Sequence, residues 1–384
     1  MRSIKRLAKN SSKNLALLGI SVTVVLLLGE LAIRLVLPQQ LIVPNPEIWR
    51  AADTIGWWHR ENANTEINTG EALVHFVSDS NGYRINFNQP ALSADKADVA
   101  ILFIGDSFVE AMQVENNQTF PQLIARDLEK RHQLSFAADN AAVGGWDPNQ
   151  YLIEARRALD IRRYDCTVVC LYACNDIVGW RADNYTPEAI SRRHHFHWPE
   201  SFSWNGLINA VFYPINDHLE TTSHLFIFLK TRMKSVLVKI GLSAAYFPAV
   251  FKVSERESNR WQNTLDICRD IANETESYGT PILFVLLPGP FQVNKDQFYN
   301  AVESFGLDPD SVDLDQPSRI MDSLFAGAGL NLIDPLEQIR LKADAGMTLY
   351  GKIDGHFNPE GHTVTAEIIL PIIEMELSNR IEGL

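Results

Sequence analysis

The stretch Val99-Ala100-Ile101-Leu102-Phe103-Ile104-Gly105-Asp106-Ser107-Phe108 constrains this chain more than any other. Its six consecutive apolar residues, several β-branched or aromatic, read as a strand buried on both faces, the kind found in helix-covered parallel sheets. Gly105 breaks the run, and Asp106-Ser107 stand at its carboxyl end. Phe120, Leu123, Ile124 and Leu128 then recur at helical spacing, so the order is strand, tight turn, helix. Open α/β sheets bind ligands beyond the carboxyl ends of their strands. A serine at that position is a candidate nucleophile, although Gly-Asp-Ser is also ordinary turn chemistry.

The same alternation continues along the chain. A short strand is expected to end in Asp139-Asn140-Ala141-Ala142-Val143-Gly144-Gly145-Trp146, followed by a helix from Ile153 to Leu159. Thr167-Val168-Val169-Cys170-Leu171-Tyr172 reads as a second buried strand, again with a polar pair, Asn175-Asp176, beyond it. A helical pattern from Trp261 to Tyr278 leads into an apolar strand between Pro281 and Pro288, and Leu330-Asn331-Leu332-Ile333 supplies a fifth. Strands alternating with helices predict a mainly parallel sheet covered on both faces.

Between Ile177 and about Phe251 the pattern breaks down. This insertion carries His194, His195, Phe196, His197, Trp198, Phe202, Trp204, Phe212 and Tyr213. The three histidines lack a carboxylate at metal-ligand spacing, so the expectation is a loop or lid packed on the main domain. Leu225, Phe226, Phe228 and Leu229, followed by Lys230, Arg232, Lys234 and Lys239, suggest either a membrane-surface helix or an internal one. The internal packing helix is preferred, because no sustained basic face emerges.

Ahead of all this, Arg2, Lys5, Arg6, Lys9 and Lys13 precede an apolar run from Leu15 to Leu37, interrupted by Glu30 and Arg34. As a helix that run spans about 34 Å at about 1.5 Å per residue, enough for a hydrocarbon core of about 30 Å. The basic cluster, residues 1–14, is expected to stay in the cytoplasm and place the remainder across the membrane. A cleaved signal peptide would have a shorter core and a small-residue cleavage site; none follows Gly29, so an uncleaved single-pass anchor is the reading. Residues 39–98 form a lead-in expected to pack on the catalytic domain. Within it Asn81-Gly82 is a strong turn signal, Val74–Val77 a short strand, and Arg84 a structural residue.

A net charge of −13 with no basic stripe argues against nucleic-acid binding. Four cysteines are too few for a disulfide framework; Cys166, Cys170 and Cys174, in or beside one apolar run, read as small hydrophobes without zinc-ligand spacing, and the sequence leaves the pairing of Cys268 open. No dinucleotide fingerprint or phosphate-binding Gly-Lys-Ser/Thr loop is present, so no cofactor and no metal is expected. The last signal is Asp354-Gly355-His356-Phe357-Asn358-Pro359, a loop turning into a helix from Thr365 to Leu377.

Ser107, Gly145, Asn175 and Asp354 with His356 together form the inventory that acyl transfer requires. A serine hydroxyl needs an imidazole to take its proton, and a carboxylate to hold that imidazole. The tetrahedral oxyanion needs preset donors, which the N–H groups of Ser107 and Gly145 and the Asn175 amide would supply. The ordered blocks Gly105-Asp106-Ser107-Phe108, Asn140…Gly145, Asn175-Asp176 and Asp354-Gly355-His356 resemble those of the SGNH (GDSL-type) hydrolases, over about residues 99–384. The lead-in, with Gly56-Trp57 and Asn81-Gly82-Tyr83-Arg84, resembles membrane-anchored bacterial members.

The resemblance implies a flavodoxin-like three-layer α/β/α sandwich with a mainly parallel sheet, behind an N-terminal transmembrane helix. It implies a serine esterase in which Ser107 is the nucleophile, His356 the base, Asp354 the acid, and Ser107, Gly145 and Asn175 the oxyanion donors. The implied substrates are acylated carbohydrates or lipid esters, with O-acetyl groups of extracytoplasmic glycans preferred. The implied location is the inner membrane, with the catalytic part facing the periplasm. A polysaccharide O-acyltransferase of the same mechanism, a lipase or thioesterase with a lid, and an inactive glycan-binding component remain alternatives. Two positions depart from the family pattern: Ala173 stands where a glycine is usual, and Ile353 where the acid is usual, so Asp354 must orient His356 from two residues away.

Overall fold

The computed structural model describes residues 2–39, 47–87, 96–181, 215, 218–219, 222–240, 247–352 and 354–384. The chain divides into two compact units: Met1–Val43, Asn68–Glu71 and Trp198–Ser243 form one, and Pro44–Ile67, Ala72–His197 and Ala244–Leu384 the other. Residues 182–214, which include His194, His195, His197 and the aromatics around them, lie outside the described residues, as does Ile353.

In chain order the elements begin with helix α1 (Arg2–Val36), then strands β1 (Trp49–Ala52), β2 (Gly56–His59), β3 (Asn64–Asn68), β4 (Leu73–Ser78) and β5 (Arg84–Ile85). The opening strand β6 (Val99–Ile104) leads into the short α2 (Ser107–Glu110), α3 (Phe120–His132), β7 (Phe136–Asn140), α4 (Pro148–Ile161) and β8 (Cys166–Tyr172). There follow α5 (His224–Lys239), α6 (Arg260–Ser277), β9 (Ile282–Leu287), α7 (Pro290–Val293), α8 (Lys295–Phe305), α9 (Gln316–Ala328), β10 (Leu332–Ile333), α10 (Leu336–Asp344), α11 (Pro359–Glu376) and α12 (Ser378–Glu382).

The main sheet has eight strands in the order β10-β9-β8-β6-β7-β5-β4-β3. From β10 to β7 every neighbouring pair is parallel. Successive strands step outward from β6 in both directions, β7 on one side and β8, β9 and β10 on the other, so the order reverses at β6. This is the flavodoxin-like arrangement, whose ligand crevice opens where the strand order reverses. Ser107 begins immediately beyond that point.

Side-chain alternation along β6 explains the two covering layers. Ala100, Leu102 and Ile104 face a core built with Tyr151, Leu152 and Ala155 of α4, Leu265 and Ile271 of α6, and Phe325 of α9. Val99, Ile101 and Phe103 face a second core with Phe120 and Ile124 of α3, Ile339 of α10, and Val364 and Ile369 of α11. All six residues of β6 are buried, as a strand apolar on both faces requires. The expected α/β class with helices on both faces is what the chain adopts.

The lead-in does more than lie on this domain. Val77 and Ser78 of β4 pair antiparallel with Ile85 and Arg84 of β5, and Arg84 pairs with Asn140 of β7. Residues 64–85 thus extend the sheet itself. Arg84 is buried, and its guanidinium donates to the carbonyl oxygens of Glu110, Ala111 and Val114 at 2.5–2.8 Å. Burial lowers its pKa to about 10, and the carbonyl bonds compensate the charge taken out of water. All four cysteines are buried and free, with their thiol pKa values raised by burial.

In the other unit, α1 includes a 24-residue segment, Lys13–Val36, whose most apolar 18-residue stretch has a mean hydropathy of 2.3, with none of that stretch buried. The expectation of an internally packed helix over the Phe/Leu-plus-Lys segment is only partly met. A helix forms there, α5, but it groups with α1 and leaves Leu229, Met233 and Val236 exposed. The reason is local: Glu30 of α1 holds its first turn, as set out below.

Candidate active site

The turn after β6 is shaped by its polar and small residues. Asp106 caps α2, its Oδ1 accepting the Phe108 N–H at 2.9 Å, while its carbonyl accepts the N–H groups of Val109 and Glu110. A side chain at Gly105 would put Cβ 2.4 Å from Val109 Cγ2 and 3.2 Å from the Cys170 carbonyl oxygen, so only glycine admits this return. Ala111 ends the helix in the left-handed region at φ 57°, and Arg84 holds that end through its carbonyls. Ser107 is thereby fixed with its hydroxyl turned outward.

Ser107 Oγ lies 2.8 Å from His356 Nε2 although 249 residues separate them. The His356 ring packs against Phe108, with centroids 4.8 Å apart, and Phe108 stacks on Tyr172 at 4.0 Å. The His356 carbonyl oxygen accepts the Gly351 N–H at 2.8 Å, and a bridge between Tyr350 and Phe357 closes the loop. Asn358 then caps α11 by accepting the Gly361 N–H, with Pro359 in the first turn, as expected from the sequence.

Asp354 reaches the far side of the imidazole in an uncommon way. Its Oδ1 accepts the backbone N–H of His356 at 2.8 Å, and His356 Nδ1 lies 3.2 Å from the same oxygen. The ring nitrogen is out of line for a hydrogen bond, so the contact is an ion-pair distance rather than an aligned donor-acceptor pair. Oδ2 is held by Gln113, whose Nε2 donates at 2.7 Å. Burial pulls the His356 pKa down, but Asp354, with Asp106 and Glu110 behind it, outweighs this and leaves the imidazole above its ordinary value. The Asp354 carboxyl, though burial works against it, is held below the usual range by His356 and Gln113. Burial pushes the Asp106 carboxyl up to about 6 against the pull of the Phe108 N–H.

The other two sequence-identified positions are Asn175, beside Asp106, and Gly145, next to a glycine that packs near Ser107. Asn175 is exposed beyond β8, its Nδ2 3.5 Å from Asp106 Oδ2. Asp176 is buried beneath it, accepting from the Tyr151 hydroxyl and the Tyr172 N–H, each at 2.7 Å. Gly145 takes φ +80°, a conformation open to glycine at little cost. A side chain at the preceding Gly144 would meet Glu110 Oε2 at 2.7 Å and the Ser107 Cβ at 3.6 Å. Asn140, the first residue of that block, ties the end of β7 to α2 by donating to the Val109 carbonyl at 2.6 Å.

Three contributors were not legible in the sequence. Gln113 lacks any motif and acts only through where the chain goes after α2. Trp57 donates through Nε1 to the Gly144 carbonyl oxygen at 3.0 Å. The peptide is planar and trans, so the Gly145 N–H points away from Trp57. His59 and Glu110 form a buried pair, Nε2 to Oε1 at 2.6 Å, with Trp49 Nε1 on the same oxygen at 3.0 Å. His59 Nδ1 faces the Gly82 carbonyl oxygen at 2.9 Å and donates there. In the sequence Gly56-Trp57 stands out only through the family resemblance, and Glu110 carries no local signal.

Among the described residues no group of three or more His, Cys, Asp or Glu side chains is arranged to hold a metal ion.

No known protein-family profile matches the chain, and no curated protein matches its sequence. Several solved structures are similar over part of their geometry. The crystal structure of TesA is similar at 12% identity over 72% of this chain and 99% of its own, with a TM-score of 0.37. An acetyl xylan esterase, AlAXEase, is similar at 11% identity over 72% of this chain and 100% of its own, TM-score 0.39. A two-domain esterase active on acetylated mannans, co-crystallised with mannopentaose, is similar at 12% identity over 74% of this chain and 52% of its own, TM-score 0.39.

Proposed function

We propose that this chain is a serine ester hydrolase, and the observation that carries the reading is the 2.8 Å contact between Ser107 Oγ and His356 Nε2. At that distance the imidazole can take the hydroxyl proton as Oγ attacks an ester carbonyl. The C–O bond of the tetrahedral adduct then breaks, and His356 returns the proton to the departing alcohol. Water repeats the sequence in reverse roles, releasing the carboxylic acid and the free serine. Asp354 supports the imidazolium that forms in each half-reaction.

The oxyanion is received by the Ser107 N–H at the front of α2, the Gly145 N–H and the Asn175 amide. Phe108 and Tyr172 wall the histidine side, while Gly145 and Asn175 are exposed. An open rim of this kind suits an acyl group carried on a large alcohol, and O-acetyl esters of extracytoplasmic glycans are the substrate class proposed. In this reading α1 is the membrane anchor, its apolar segment spanning the bilayer and its basic start remaining in the cytoplasm.

The full chain in detergent, offered a short-chain aryl ester, should turn over and should be labelled by an active-site phosphonate on Ser107, as read by mass spectrometry. Ser107→Ala should lose both. Undiminished turnover in that variant would overturn the assignment. A chain-length series tests the substrate class: acetyl esters should be preferred, and rising rates with longer acyl chains would instead favour a lipase or thioesterase.

A further inference from the structure

Glu30 is a carboxylate inside an apolar helix, and its partners say where α5 must lie. It accepts the hydroxyl of Ser223 at 2.7 Å and the backbone N–H groups of His224 and Leu225 at 3.0 and 2.9 Å. Arg34, one turn on, donates to Glu30 at 2.6 Å and to the Thr222 carbonyl oxygen at 2.6 Å. An acid of α1 thus caps the start of α5, satisfying N–H groups that a helix leaves unpaired. Leu225 packs onto Gly29, where a Cβ would lie 3.1 Å from Leu225 Cδ2. Glu30 sits six residues before Val36, about 9 Å at about 1.5 Å per residue.

The face of α5 fits a location at that depth. Leu229, Met233 and Val236, with Ile240 just past the helix end, are spaced as one helical stripe and are 52–62% exposed. From His224 to Ile240 the sequence holds Lys230, Arg232, Lys234 and Lys239 and no Asp or Glu. Lys230 lies over the Phe226 ring and Arg232 over Phe228, at 5.9 and 5.4 Å. A second copy of such a helix would bring cation against cation, whereas anionic lipid headgroups complement it.

We propose that α5 is a second membrane-contacting element, lying in the lipid interface with the Leu229–Met233–Val236–Ile240 stripe in the acyl region and its cations among anionic headgroups. This rests on reading α1 as a membrane anchor. The stripe then gains the apolar surroundings that water denies it, and Glu30 fixes the level at which the chain re-enters the interface.

Nitroxide labels on the full chain in vesicles containing anionic lipid test this, because the four native cysteines are buried and leave introduced ones to react. Labels at Leu229→Cys, Met233→Cys and Val236→Cys should relax more with oxygen than with a water-soluble nickel chelate. A label at Thr231→Cys, on the opposite face, should show the reverse, and one at Val24→Cys should report deep lipid. If the three stripe labels match Thr231→Cys while Val24→Cys remains in lipid, the proposal falls and the anchor stands. If Val24→Cys is also in water, the anchor reading falls and takes this one with it. Close spin–spin broadening between copies at Met233→Cys would show a second chain on the stripe and overturn the lipid assignment. Glu30→Gln should move the stripe labels toward water and leave Val24→Cys unchanged.

Discussion

Gln113 Nε2 donates to Asp354 Oδ2 at 2.7 Å, joining the segment just after the nucleophile helix to a carboxylate 241 residues later. The other Asp354 oxygen is shared between the His356 N–H and the neighbourhood of Nδ1, so Gln113 helps to keep the acid from rotating away. Gln113→Ala should lower kcat by about 10- to 100-fold, the worth of a hydrogen bond to a charged group of about 1.5–3 kcal/mol, with KM little altered. Steady-state kinetics decide it. A variant with normal kcat would show that the carboxylate is held without it.

The proposed mechanism needs His356 neutral, and the pKa of that ring is raised. The acid limb of kcat/KM should therefore fall above pH 6.5, the ordinary histidine value. Asp354→Asn removes the negative charge that favours the imidazolium, so burial then dominates and the limb should move to lower pH. The maximal rate should drop at the same time, by on the order of 10²-fold or more. A pH profile with the acid limb unmoved would assign the support of His356 to another group.

Trp57 governs one peptide plane. With the indole nitrogen removed in Trp57→Phe, the Gly144 carbonyl is free to turn and the Gly145 N–H with it. A misplaced oxyanion donor costs up to about 10²–10³ in rate, and a loosened one should cost about tenfold, in kcat rather than in KM. The measurement is the kcat–KM split on one aryl ester; a change in KM alone would make Trp57 a substrate contact instead.

His59 and Glu110 are 1% and 2% exposed in their side chains. Breaking a buried pair typically costs about 3–5 kcal/mol, so His59→Gln and Glu110→Gln should each lower stability in denaturant by that order. Together they should cost less than the sum of the two. Additive losses in the double-mutant cycle would show that the two side chains stabilise the fold separately.

The sequence made the sheet and the nucleophile legible because both depend on short-range pattern. A strand buried on two faces must be continuously apolar, and Val99–Ile104 is; a serine at its end needs only a glycine before it. Ser107, Gly145, Asn175, Asp354 and His356 were all named from ordered blocks, and the geometry brings Ser107, His356 and Asp354 into contact. What stayed hidden were contacts made by residues with ordinary local signatures. Gln113 looks like any surface glutamine until the chain returns at Asp354. Residues 39–98 read as a covering segment because β3, β4 and β5 are short, and the pairing of β5 with β7, through which they join the sheet, is set by tertiary register rather than by local alternation. The helix α5 was visible in outline, but its capping by Glu30, 193 residues away from Ser223, has no local signature.

Arg84 fills a socket directly beneath the reactive turn, and it is delivered by a strand that precedes the nucleophile in the chain. Catalysis is therefore not portable as a fragment. A gene trimmed to begin at Val99 would encode a sheet with a bare flank and three stranded carbonyls under the serine. Strands β3 to β5 are thus an inseparable foundation for the proposed chemistry, and transplanting it means carrying those strands along.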